Sequence, residues 1–88
     1  MFRVATSFDD FFKVMTVRSV VFIGEQECSY REEIDEFEHS SIHILGELGD
    51  EPMAAARLRF PGAYAKLERI AVRRKWRGQA GAMRWWSL

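Results

Sequence analysis

The sequence predicts an α+β fold in which N-terminal helices pack on an antiparallel meander of β-strands. A segment with helical spacing of its apolar residues comes first, and three strand-like runs separated by short turn signals follow it. Strands joined by short turns form an antiparallel sheet, and a helix can cover one of its faces. The chain has 88 residues, enough for one small domain that spans residues 1–88.

A short strand and an amphipathic helix open the chain. Residues 1–6 alternate well enough for a strand. Ser7 precedes Asp10 by three residues, which is the capping-box pattern at the start of a helix. Gly24 is expected to end this helix. Its apolar stripe follows the i, i+3, i+4, i+7 rule and consists of Phe8, Phe11, Phe12, Met15, Ser19 and Phe22, widened by Val14, Val17 and Val21.

A second, weaker helix or an irregular turn is predicted over residues 30–38. Ile34 and Phe37 are its only apolar anchors. Its acidic side chains are expected to face outward, and they are Glu32, Glu33, Asp35 and Glu36.

Three strand-like runs form the rest of the predicted sheet. They cover residues 41–48, 53–60 and 66–72. Gly49-Asp50 is typical of a hairpin turn after the first run, and Pro61-Gly62 is a turn signal after the second. The order of runs and turns indicates that neighbouring strands pair antiparallel.

The composition excludes several classes of protein. A chain that is 48% hydrophobic with a formal net charge of zero is globular, because disorder needs low hydrophobicity and a large net charge. No stretch approaches the roughly 20 apolar residues of a membrane-spanning helix, and the N-terminus lacks the features of a signal peptide. The single Cys28 excludes an internal disulfide framework, so we expect a cytoplasmic protein.

The charges are distributed unevenly along the chain. Residues 25–51 contain ten acidic residues and one basic residue, whereas residues 52–88 contain nine basic residues and one acidic residue. Two solvated faces that attract one another would explain this pattern. A basic site for an anion in the second half would explain it equally well, since a strand, a glycine-containing basic loop and a helix start present backbone N–H groups to an anion.

Five segments of the chain carry motifs that occur together in one protein family. The first contains a V-F-x-x-E-Q signature that ends at Glu25-Gln26, and the second contains an E-x-D pattern at Glu33 and Asp35. A strand that begins near His43 and an A-R-L strand follow. The segments are residues 17–26, 33–37, 41–43, 56–60, and 68–72 together with 77–79. In this order they resemble the GCN5-related N-acetyltransferases.

The resemblance implies a partial acyl-CoA N-acyltransferase-like fold that binds acetyl-CoA and transfers its acetyl group to an amine of a small molecule or peptide. In the family, backbone N–H groups of a loop with the pattern R/Q-x-x-G-x-G/A hold the cofactor's pyrophosphate, as a helix N-terminus does. A carboxylate on the preceding strand often acts as the base, and Glu68 matches it. The matching cofactor-binding positions are Val72, Arg77, Gly78, Gln79, Ala80 and Gly81.

Two departures from the family pattern bear on activity. Ala80 stands where the family has glycine, and its methyl group could obstruct a close phosphate. Family members continue for about half a domain more, and residues 80–88 resemble nothing in the family. The sequence therefore indicates a truncated family member, which could be a natural truncation, the product of a frameshift or a fragment. The alternative to an enzyme is a catalytically inactive half-domain that serves as a dimerisation or interaction module.

The predicted partner is a second copy of the chain. The edge of the last strand and the tail containing Trp85 and Trp86 are expected to be buried in a homodimer. The same tail, with its arginines, resembles a stacking surface for single-stranded nucleic acid. No nucleic-acid motif is present, so neither nucleic acid nor a membrane is expected as a partner.

Several single residues admit a structural and a functional interpretation. Glu68 could be a base or simply an ion-pair partner of Lys66 or Arg57. His43 could relay a proton, although a histidine at a strand start is more often a hydrogen-bonded structural residue. The spacing of His39 and His43 with the nearby glutamates matches no closed ligand set, so no metal site is predicted.

Overall fold

A computed structural model describes residues 1–77 and shows a four-stranded antiparallel sheet with strand order β1-β2-β3-β4. The strands are β1 (Phe2–Val4), β2 (Ile42–Leu48), β3 (Glu51–Arg59) and β4 (Lys66–Val72). The helices are α1 (Phe8–Arg18), a π-helical continuation (Ser19–Glu25), α2 (Tyr30–Glu33) and a 3-10 turn (Arg74–Trp76). The predicted α+β meander is therefore confirmed.

The start of α1 is capped as predicted. The Ser7 hydroxyl oxygen accepts a hydrogen bond from the backbone N–H of Asp10 at 3.0 Å. The Asp10 carboxylate in turn accepts from the backbone N–H of Thr6 at 3.1 Å and pairs with Arg3 of β1. Two acidic residues in the first turn, Asp9 and Asp10, also favour the positive end of the helix dipole. The cap thus joins the strand to the helix.

The end of this helix differs from the prediction that Gly24 terminates it. After Arg18 the helix widens into the π-helical segment Ser19–Glu25, in which Gly24 lies. The N–H of Gln26 donates to the carbonyl of Val21 at 3.0 Å, an i→i−5 bond that closes a π-helix. The helical segment thus ends at Glu25, one residue after Gly24, and Glu27 beyond it has a left-handed φ of 58°.

The predicted apolar stripe of α1 and its continuation is buried only in part. Val14 and Val17 are fully buried, whereas Phe8 is 84% exposed and Phe12 is 64% exposed. The valines pack with Leu45, Ala55 and Ala71 of the sheet. Small alanines let the helix approach closely, and short β-branched side chains fill the narrow space better than phenylalanine would. Phe8 and Phe12 therefore border solvent, whereas Phe22 is partly buried against the valine cluster.

A second apolar cluster lies on the other face of the sheet. Met53, Ala54, Ala56, Val72 and Trp76 are buried there. Partly buried side chains of Phe2, Ile44 and Ile70 pack against them. Alternate residues of a strand point to opposite faces, so β3 contributes alanines to both clusters.

Two glycines are required by the geometry of β2. A Cβ built on Gly46 would lie 2.6 Å from the ring of Phe2, so any larger residue would force that ring to move. Gly49 has φ +64°, a conformation that favours glycine, in the predicted two-residue turn between β2 and β3. Among residues 1–77, no helix is both long enough and apolar enough to cross a membrane.

Candidate functional site

A bulge in β4 breaks the regular register of the sheet. Ala55 pairs with Ala71 and Arg57 pairs with Glu68, so two residues of β4 face the single residue between them on β3. Arg69, one of these two, has φ 53°, a left-handed conformation that is uncommon for a non-glycine residue. Nothing in the sequence signals this bulge, because neither bulge residue is glycine. It turns the strand and changes which side chains share a face.

β4 is also an edge strand in the described part of the chain. It pairs only with β3 there, so its outer side carries N–H and C=O groups without a strand partner. Such an edge can take up another extended group through main-chain hydrogen bonds. The open edge and the bulge together make β4 the best candidate for a binding surface.

The Glu68 carboxylate is held by three cationic side chains. It accepts hydrogen bonds from Arg57 Nε at 3.1 Å and Arg59 Nε at 2.9 Å, and Lys66 Nζ lies 3.4 Å away. Burial opposes its ionisation, but hydrogen bonds from Arg57 and Arg59 outweigh that effect and lower the pKa of the Glu68 carboxyl. Glu68 is thus an ion-pair partner, and its role as a base stays a prediction.

Arg57 connects β3 to the segment that follows α2. It is 2% exposed and donates to both carboxylate oxygens of Asp35, at 2.7 and 3.0 Å. A further bond reaches Glu38 Oε2 at 3.2 Å. The hydrogen bonds from Arg57 lower the pKa of the Asp35 carboxyl to about 2, against a smaller opposing effect of burial.

Arg18 of α1 holds the same segment from the other side. Its guanidinium is fully buried and reaches Glu33 Oε2 at 2.8 Å and Glu38 at 2.7 and 2.9 Å. The prediction that Glu33 faces outward is therefore wrong, since it is 1% exposed. Glu33 is buried because cationic side chains on other elements pair with it. Besides Arg18 of α1, Arg69 of β4 lies 3.3 Å from its carboxylate. A buried carboxylate needs such partners.

Ion pairs between the acidic and basic halves account for much of the uneven charge distribution. Besides the pairs of Arg57 and Arg69, Arg73 pairs with Glu51 at 2.5 Å and Arg77 pairs with Glu25. The interpretation that the two halves attract one another is confirmed. They meet partly in the interior, however, rather than only across solvated faces.

The chain after β4 begins with a basic turn. Arg73 and Lys75 lie over the ring of Trp76 at 5.1 and 5.0 Å, and Trp76 is 5% exposed. Arg77 is exposed, and its pairing partner Glu25 belongs to the V-F-x-x-E-Q signature. The structure thus brings together two signature segments that are 52 residues apart.

Only two of the predicted cofactor-binding residues lie within the described residues. Val72 is buried in the core, so its backbone rather than its side chain faces the edge, and Arg77 lies at the end of the basic turn. The remaining predicted positions, Gly78, Gln79, Ala80 and Gly81, lie outside the described residues, as do Trp85 and Trp86.

The comparisons with known proteins point to one family. No family model matches the chain. It is 48% identical over 56 residues to the uncharacterized N-acetyltransferase YjcF of Bacillus subtilis, a match that covers 64% of this chain and 40% of that protein. It is 37% identical over 75 residues to a putative acetyltransferase of the same organism, covering 82% of this chain and 51% of the relative. The chain thus spans about half the length of the curated relatives it matches.

Solved structures share this fold. Escherichia coli ElaA superposes with a TM-score of 0.82 at 26% identity, covering 99% of this chain and 64% of that one. An acyl-CoA N-acyltransferase from Pseudomonas aeruginosa superposes with a TM-score of 0.81 at 19% identity, covering 99% and 62%. Sequence and fold together assign the chain to the GCN5-related N-acetyltransferases, of whose members it spans only a part.

Proposed function

We propose that the chain binds acetyl-CoA along the outer edge of β4 and transfers the acetyl group to an amine of a small molecule or peptide. The observation that carries the proposal is the open, bulged edge of β4 followed directly by a basic turn. The names of the relatives, an N-acetyltransferase and an acyl-CoA N-acyltransferase, support this assignment.

The edge of β4 suits the amide-containing arm of coenzyme A. That arm can hydrogen-bond to the unpartnered N–H and C=O groups as an added strand does. Backbone donors at Val72 and at residues 78–81, together with the Arg77 guanidinium, would hold the pyrophosphate.

Acetyl transfer in this arrangement needs positioning more than covalent catalysis. The amine nitrogen attacks the thioester carbonyl carbon and forms a C–N bond. The nitrogen then loses its proton, the C–S bond breaks, and coenzyme A leaves as the thiolate. Glu68 is our candidate for the proton acceptor. Its three cationic neighbours keep it ionised, and the same neighbours make it a weaker base.

Arg77→Ala is expected to weaken acetyl-CoA binding by roughly tenfold or more, because charge-assisted hydrogen bonds contribute about 1.5–3 kcal/mol. Calorimetric titration of the full chain measures this effect. Glu25→Gln removes the ion-pair partner of Arg77 without removing the guanidinium, so it serves as the matched control and should bind at least as well as the parent. Absence of acetyl-CoA binding to the parent chain at millimolar ligand would contradict the proposed function.

The second candidate is an inactive half-domain that dimerises. The same β4 edge favours it, since an open edge can pair with a second copy, and the cluster around Trp76 lies beside that edge. We propose a homodimer that uses this edge and the tail after residue 77. Sedimentation equilibrium should then give twice the mass of the 10.3 kDa chain, and a strictly monomeric species would contradict the dimer.

A further inference from the structure

The ion pairs around Glu68 belong to one connected network that carries an excess positive charge. Among the described residues the network contains five arginine and lysine side chains and four carboxylates, so one positive charge is left over. The cations are Arg18, Arg57, Arg59, Lys66 and Arg69, and the carboxylates are Glu33, Asp35, Glu38 and Glu68. Arg59 and Lys66 pair with Glu68 alone in this network, and Glu68 is also shared with the buried Arg57. The excess positive charge therefore lies at Arg59 and Lys66.

The guanidinium group of Arg59 is fixed on one side and open on the other. Its Nε donates to Glu68 Oε1 at 2.9 Å, and its Cζ lies 4.3 Å from the centroid of the Phe37 ring. Its Nη1 and Nη2 atoms form no hydrogen bond within the described residues, and 19% of the side chain is exposed. Because a guanidinium is planar, these two contacts also set the direction of the Nη pair. Two parallel N–H donors in a fixed plane match the two oxygens of a carboxylate.

Lys66 lies beside Arg59 across the β3–β4 pair. The two residues are partners in the strand register, so their side chains leave the same face of the sheet as neighbours. Lys66 Nζ lies 3.4 Å from Glu68 Oε2, and the side chain is half-exposed. An exposed ion pair of this kind contributes little, so the ammonium group can turn toward a ligand. Arg59 and Lys66 thus form an accessible cationic pair that flanks Glu68.

The location of this cationic pair relates it to the acceptor rather than to the pyrophosphate of acetyl-CoA. Lys66 begins β4, whereas the basic turn that we propose for the pyrophosphate follows Val72 at the other end of the strand. Glu68, the candidate proton acceptor, lies between the two cations. An amine that gives its proton to Glu68 would have the rest of its molecule beside Arg59 and Lys66.

We propose that the acceptor amine carries a carboxylate, which binds to the Nη pair of Arg59 and to Lys66. The inference rests on the proposed acetyl transfer, because that reaction defines the acceptor. Binding of the carboxylate neutralises the excess charge of the network. It also gives Lys66 Nζ a second anion to pair with, which leaves Glu68 Oε2 more accessible to the proton of the amine.

Glutarate and glutaramide, measured without acetyl-CoA, test the carboxylate site by itself. The two molecules share a carbon chain, but glutaramide carries uncharged amides in place of the carboxylates. In NMR titrations of the full chain, glutarate should shift the Nε–H resonance of Arg59, and glutaramide should leave it unchanged. Arg59→Lys keeps the charge but removes the planar pair of donors, and it should weaken glutarate binding by roughly tenfold. Arg31→Lys makes the same change at an exposed residue of α2 and should leave the affinity within about twofold.

4-Aminobutyrate and butylamine, measured with acetyl-CoA, test the class of acceptor. Both are primary amines with a four-carbon chain, and only 4-aminobutyrate carries a carboxylate. The parent chain should acetylate 4-aminobutyrate with a kcat/KM roughly tenfold higher than that for butylamine. Arg59→Lys should lose most of this preference, because the preference arises from the pair of donors that the substitution removes.

Three results would overturn this inference. The first is an Arg59 Nε–H resonance that does not respond to tens of millimolar glutarate in the parent chain, a measurement that needs no variant to fold. The second is an equal loss of glutarate affinity in Arg59→Lys and Arg31→Lys, and the third is an equal kcat/KM for the two amines in the parent chain. A parent chain that binds glutarate but acetylates neither amine would instead contradict the proposed transfer reaction and leave the carboxylate site in place.

Discussion

Arg57→Met is expected to lower the free energy of unfolding by about 3–5 kcal/mol, the usual cost of removing one partner from a buried ion pair. Arg57 is 2% exposed and contacts Asp35, Glu38 and Glu68. Methionine fills a similar volume but leaves these carboxylates without their shared cation. Urea unfolding followed by circular dichroism measures the change.

Arg59→Met is the matched control for this substitution. Arg59 lies on the same strand, is more exposed and has Glu68 as its only carboxylate partner within the described residues. Its replacement should cost less than about 1 kcal/mol, as is usual for ion pairs near the surface. Equal losses in the two variants would show that the network around Arg57 does not hold residues 33–38 on the sheet.

Acid is expected to destabilise the fold by about 2 kcal/mol through Asp35 alone. Its pKa is lowered from 3.8 to about 2 by hydrogen bonds from Arg57, and a depressed pKa in the folded state stabilises the fold while the group is ionised. This stabilisation is complete above the unfolded pKa near 4 and is lost as the pH falls toward 2. The lowered pKa of Glu38 acts in the same direction.

Asp35→Asn should reduce this pH dependence. The variant is expected to be less stable than the parent at neutral pH, and the two stability curves should converge as the pH falls toward 2 and Asp35 of the parent is protonated. Asp50→Asn is the control, since Asp50 is exposed in the turn between β2 and β3. This substitution should leave the dependence of the free energy of unfolding on pH unchanged. Parallel curves for the parent and Asp35→Asn would contradict the assignment.

The strands and caps were predictable because local chemistry determines them. The strand over residues 66–72 has the predicted limits, and the Ser7 cap and the Gly49-Asp50 turn are present. Each depends on residues that are close in the sequence, so spacing alone indicates them.

The orientation of α1 was not predictable from spacing, because its valines and its phenylalanines both recur at helical intervals. Which stripe faces inward depends on the sheet, whose alanines at positions 55 and 71 accept the smaller side chains. The burial of Glu33 likewise depends on Arg18 and Arg69, which lie 15 and 36 positions away in the sequence. Nonlocal contacts of this kind leave no local pattern.

The candidate site was predicted only in part. The family resemblance indicated Glu68, Val72 and Arg77, and the structure places them on β4 and in the turn after it. The bulge at Arg69 was not predicted, nor was the burial of His43 with Nδ1 lacking a hydrogen-bond partner among the described residues. Both arise from strand register and side-chain packing, which the residue types alone do not specify.

Backbone amide shifts of the full chain, recorded with and without acetyl-CoA, test the central claim most directly. We expect the changes to concentrate on residues 69–77, the outer edge of β4 and the basic turn after it, and to spare β1 and the solvent-facing side of α1. No shift at millimolar acetyl-CoA, or shifts confined to β1 and α1, would contradict the assignment of the β4 edge as the acetyl-CoA site.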